Sequence, residues 1–202
     1  AREWRPVAPE NSVPKSDLLL IPTPIIPGFN DPESVQAMLA QGEVLLTDGR
    51  KWGITPDLIV NASITKDFEP IEKAVNTAVE KGDTQVYAYY GDLLRSRFQN
   101  EKSAVDWYRK GAEAGDAYAQ YQLAKAYCEG EGVDAARPGQ CYAWLKIAEE
   151  NSADTLKLTI QNALEVVEAS LTPEEAKQGS DLLTEYKTKN AKANKKELMN
   201  FF

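Results

Sequence analysis

The chemistry open to this chain is bounded by an absence: its 202 residues include no histidine, the commonest general base and metal ligand. Neither a serine–histidine nor a cysteine–histidine nucleophile pair can therefore form, nor the paired-histidine helix of a zinc protease. No motif brings a serine and a lysine together as an alternative nucleophile pair. Cys128 and Cys141 are too few for a zinc site. Glu129, Glu131 and Asp134 cluster beside glycines but lack the alternating ligand spacing of a calcium loop, which predicts a solvated turn. Gly130 and Gly132 follow no strand, so they do not form a dinucleotide loop. No catalytic, cofactor-binding or metal-binding residue is expected, and no cofactor. The one enzymatic alternative is carboxylate-based hydrolysis of cell-wall material.

The elements that position these residues begin with composition. A hydrophobic share of 43% and a charged share of 27% are those of a globular protein. The net charge of −8 argues against binding nucleic acid, which requires Lys and Arg to neutralise phosphates. No apolar run reaches the roughly 18–20 residues of a membrane span, and the longest, Leu18 to Ile26, is broken by Pro22 and Pro24. The first residue is Ala1, which fits a chain whose secretory signal has been removed, and a periplasmic location is expected.

Proline and charge divide the chain into four parts. Residues 1–30 read as an extended proline-rich arm lying over an apolar surface. Residues 31–69 combine a helix opened by Asp31-Pro32 with an irregular segment holding a short β-like run, Leu58-Ile59-Val60. Residues 70–190 are helical almost without interruption, and residues 191–202 form a basic, solvated, fraying tail. Within 70–190, Ile71, Ala74, Val75 and Ala78 make an apolar stripe ended by Gly82, and Asp83 is expected to cap the next helix. The pair Gly82-Asp83 returns as Gly115-Asp116 after 33 residues, the signature of a helix-pair repeat. At that shift Val86, Tyr90, Gly91 and Leu94 fall on Ala119, Leu123, Ala124 and Tyr127. At a shift of 37, Ala104, Trp107 and Gly111 fall on Cys141, Trp144 and Ala148. Thr172-Pro173-Glu174-Glu175 opens a closing helix with a capping box, whose buried stripe is Leu182, Leu183 and Tyr186.

The runs Ala119-Gln120, Leu123-Ala124 and Tyr127, then Gly130-Glu131-Gly132-Val133 and Ala143-Trp144-Leu145-Lys146, resemble the Sel1-like repeat family, as does Ala104 to Ala112. The first unit departs from it, with Arg97-Phe98-Gln99-Asn100 in place of the glycine loop. The resemblance, which covers residues ~70–190, implies an all-α, α-α superhelical solenoid related to tetratricopeptide arrays that binds proteins and performs no catalysis, and the prolines of residues 1–30 add a proline-rich N-terminal extension to it. It further implies, by analogy with small exported bacterial repeat proteins, an immunity-type inhibitor of a secreted toxin, its acidic residues steering a basic target. An envelope scaffold or adaptor with several protein partners is the alternative.

Stacked helix pairs offer a curved face lined by the first helix of each pair. The positions left free by the core there are Gln85, Tyr89 and Asp92, then Tyr118, Tyr121, Gln122 and Lys125. These are the candidate partner-binding residues, with the alternative that one or two tyrosines pack under the N-terminal segment. An antiparallel hairpin would bring Cys128 and Cys141 together, either as a disulfide or as two small buried thiols.

Overall fold

A computed structural model describes residues 49–200, excepting the side chains of 154, 155 and 192–200. Within them the chain is all-helical: a 3-10 turn at Gly49–Trp52 precedes eight α-helices and no strand. They are α1 (Pro56–Thr65), α2 (Glu69–Glu80), α3 (Val86–Ser96), α4 (Glu101–Glu113), α5 (Ala117–Glu129), α6 (Pro138–Asn151), α7 (Asp154–Ser170) and α8 (Pro173–Asn200). The proline-rich arm and the helix expected after Asp31 lie outside the described residues.

The expected β-like run Leu58-Ile59-Val60 is instead part of α1. Thr55 accepts the Leu58 N–H and Pro56 holds the first helical position, a start signal that overrides β-branched propensity. Ile59 and Ala62, three residues apart, are the buried pair of this helix.

The 33-residue recurrence has a structural counterpart. Gly82 and Gly115 take φ +92° and +89°, conformations open to glycine at little cost. The Gly82 and Gly115 N–H groups donate to Val79 and Ala112, while those of Asp83 and Asp116 donate to Ala78 and Gly111. Both helices thus end in the same double-bonded stop. The helices after these two stops begin differently. Asp116 accepts the Ala119 N–H at 2.8 Å and caps α5, as expected. Asp83 does not cap α3, which starts only at Val86 with Gln85 before it. A turn through Thr84 and Gln85 intervenes, so Asp83 meets the first helical amide, that of Val86, with its backbone carbonyl at 3.3 Å and not with its side chain.

Every internally aligned position from Val86 to Ala148 is buried in both units, including Trp107 and Trp144. The helices approach closely where residues are small. A Cβ on Gly111 would lie 2.7 Å from the Ala119 Cβ, at the crossing of α4 and α5.

Helix α6 is the hub of the C-terminal part. Helix α7 runs antiparallel along it, held by Lys146–Glu168 at 3.0 Å and Gln161–Glu149 at 3.1 Å. Helix α8 packs chiefly on α6 and at most marginally on α7. It runs parallel to α6, pairing Gly179 with Gly139, Tyr186 with Trp144 and Lys187 with Glu150. The Thr172–Glu175 capping box opens α8 as expected, with Glu175 accepting the Thr172 N–H at 2.9 Å. The helix continues to Asn200 through residues expected to fray.

Candidate functional site

Helices α3 and α5 carry six of the seven candidate partner-binding residues, with Gln85 just ahead of α3, and the structure joins four of the seven in or beside one polar cluster. Asp92 is the centre. Its Oδ1 accepts from the Tyr108 hydroxyl at 2.6 Å and its Oδ2 from the Tyr118 hydroxyl at 2.9 Å. Gln122 Nε2 donates to the Tyr118 oxygen at 2.6 Å and reaches Asp92 Oδ1 at 3.5 Å. Lys125, one turn further along α5, and Arg95, on α3, both lie near enough to act electrostatically on Asp92. Burial nonetheless dominates and pushes the Asp92 carboxyl above the ordinary carboxylate range. The hydrogen bonds from Tyr108 and Tyr118 and the charges of Arg95 and Lys125 offset only part of that. The Tyr108 and Tyr118 hydroxyls are driven upward, first by burial and then by the adjacent Asp92 charge, and remain protonated donors.

This arrangement divides the candidate face. Asp92 and Gln122 are turned inward: Gln122 is 5% exposed, and its Oε1 is buried with no hydrogen-bond donor. Tyr118 is 39% exposed, with a tethered hydroxyl and an open ring edge. Tyr121, Lys125 and Arg95 are half-buried and line the same face, and Gln85 is exposed at its end.

Tyr89 belongs elsewhere. It is 7% exposed, its ring lies 5.1 Å from that of Trp52, and Gly49 abuts its hydroxyl end. The segment preceding α1 covers this one tyrosine, whereas Tyr118 and Tyr121 remain accessible.

Two residues that the sequence did not mark prove central. Tyr108, legible only as part of an apolar stripe, supplies a hydroxyl to Asp92. Gln120 is fully buried on the opposite side of α5. Its Nε2 donates to the Ala112 carbonyl at 3.1 Å and the Tyr186 hydroxyl at 3.2 Å, and its Oε1 accepts from Asn151 at 3.0 Å. It thereby ties α8 to α4, α5 and α6. A glutamine at a core position of a helical stripe was the available signal, since such a group must find partners.

Cys128 at the end of α5 and Cys141 at the start of α6 are joined as a disulfide, with Cα atoms 5.2 Å apart. It closes the loop bearing Glu129, Glu131 and Asp134, all exposed. Among the described residues no three Cys, Asp or Glu side chains converge on a metal-binding geometry, and no helix is long and apolar enough to cross a membrane.

No protein-family model matches the chain, and no protein of curated function matches it.

Proposed function

We propose that this chain is a Sel1-like helix-pair solenoid that binds another protein through the face formed by α3 and α5, without catalysis. The observation that carries this reading is the placement of Tyr118, Tyr121, Arg95 and Lys125 at the surface of an Asp92-centred network. The Tyr118 ring, tethered from beneath by Asp92 and Gln122, is presented in one geometry, which lowers the entropic cost of binding. The recurrent Gly-Asp stop and the matching buried positions in two units support the repeat assignment.

Within that class we favour an exported bacterial inhibitor of the immunity type, which neutralises a secreted toxin by occluding its active site. The Cys128–Cys141 disulfide supports export, because such bonds persist in oxidising compartments such as the periplasm. The test is capture of the partner by the tagged full chain, identification, and assay of that partner's activity with and without the chain. One tight partner whose activity is abolished, and whose binding is lost on Tyr121→Ala with Lys125→Ala, supports the reading. Binding that ignores both substitutions refutes the face, and one partner left fully active refutes the inhibitor role.

The alternative, a scaffold or adaptor with several partners, draws on the surface of α7. Leu158 and Val166 there are 61% and 71% exposed, two helical turns apart, which would supply a second contact region. Several stoichiometric partners, with none inhibited, would favour it.

A further inference from the structure

Resting on the α3–α5 face as the binding surface, we infer that the group it recognises is a side-chain carboxylate of the partner. Asp92 is the acid at the centre of the cluster, and its two oxygens already accept from Tyr108, Tyr118 and Gln122. It sits beneath the face with both oxygens engaged and offers little to a ligand. Arg95 and Lys125 are half-buried, yet among the described residues neither side chain makes a hydrogen bond or an ion pair within 4 Å. A guanidinium carries five N–H donors and an ammonium three, and partly desolvated donors without acceptors are costly to keep.

The two cations flank the tyrosines. Arg95, one turn beyond Asp92 on α3, acts electrostatically on Asp92, Tyr108, Tyr118 and Tyr121 and so lies on their side of the helices. Lys125 is one turn beyond Tyr121 on α5. Glu129 is the opposing charge, near Tyr121 at the end of α5. With Asp92 engaged by its three donors, the surface left for a partner is two cations framing two aromatic rings. A carboxylate complements it as an acceptor for Arg95 or Lys125, and charge-assisted bonds of that kind are about twice as strong as neutral ones.

Gln122 is 5% exposed and lies beneath the face, where its Nε2 holds Tyr118 and reaches Asp92, so it fixes the cluster from below and leaves the ligand to the two cations. Against a net charge of −8, recognition of an acid depends on this one local patch and not on the overall field.

The test uses the full chain and an acetylated, amidated, fluorescently labelled peptide of four Asp-Ser repeats, with Asn-Ser and Lys-Ser versions as controls. Binding is read by anisotropy at low salt. The expected result is saturable 1:1 binding of the Asp-Ser peptide alone. It should weaken about tenfold or more in Arg95→Gln and in Lys125→Gln. Arg109→Gln, which removes a cation already paired with Asp106 on α4, should leave it unchanged. A circular-dichroism melt of each variant confirms folding. No binding of the Asp-Ser peptide, equal binding by the Arg95 and Lys125 variants, or preference for the Lys-Ser peptide would overturn the inference. The face itself is tested separately: a natural partner lost on Tyr121→Ala but indifferent to Arg95→Gln and Lys125→Gln would sink the carboxylate while leaving the binding surface standing.

Discussion

Gly91 and Tyr108 offer a sharp test of the packing beneath the candidate face. Gly91, in the middle of α3, is buried, and a Cβ added there would fall 2.5 Å from Tyr108 Cε1 and 2.6 Å from its Cδ1. The ring cannot yield freely, since Tyr108 is 1% exposed and its hydroxyl is held by Asp92 at 2.6 Å. Gly91→Ala must therefore either overpack the site, at about 1–3 kcal/mol, or displace the ring and forfeit a hydrogen bond to a charged group, at about 1.5–3 kcal/mol. Alanine returns about 1 kcal/mol of helix propensity. The expected net loss is therefore about 0.5–2 kcal/mol. Tyr108→Phe alone should cost about 1.5–3 kcal/mol through the lost bond. Because the two substitutions remove the same bond, the double variant should fall short of additivity by about 1 kcal/mol or more. Urea unfolding at fixed pH, followed by circular dichroism for all four proteins, measures the cycle. A neutral Gly91→Ala, or a double variant additive within about 0.5 kcal/mol, would refute the claim that close approach and hydrogen bonding are coupled here.

Three further outcomes are expected. Replacing Cys128 and Cys141 by serine opens a loop whose ends are 13 residues apart and should cost up to about 3 kcal/mol, visible as a lower melting temperature that a reductant no longer changes. The Asp92 carboxyl is raised on folding, so the folded state binds its proton more tightly and its contribution to stability is lost as pH rises through the folded value. Relative to Asp92→Asn, the native chain should therefore gain stability as pH falls from about 7 toward about 4, by denaturant titration at each pH; a gain on raising pH would contradict the assignment. Gly179→Val should detach α8 from α6, because even a Cβ there meets the Gly139 carbonyl oxygen at 2.6 Å, and limited proteolysis should then release α8 first.

The helices were legible in the sequence wherever a stop and a stripe coincided. Gly82 and Gly115 marked two helix ends because a left-handed residue is needed at each, and Trp107 and Trp144 marked equivalent layers. Local propensity misled at Leu58-Ile59-Val60, where a capped start outweighed β-branching, and at Asp83, where a turn of two residues shifted the start of α3. The face was legible as a set of positions but not as chemistry. Periodicity shows that Asp92 and Gln122 share a side with Tyr118, yet only the placement of α4 shows that Tyr108 reaches across to turn Asp92 inward. The packing of α8 on α6 in preference to α7 is likewise tertiary, resting on the Gly139–Gly179 approach and on Tyr186 reaching Gln120.

The central claim is that the α3–α5 face, and not another surface, meets the partner. Site-specific photocrosslinking tests it most directly, with a photoreactive residue placed at Tyr121 and, on the exposed side of α4, at Asp106. A crosslink to one protein from position 121 and none from position 106 is the predicted result. Crosslinks from position 106 alone, or equally from both, would contradict it.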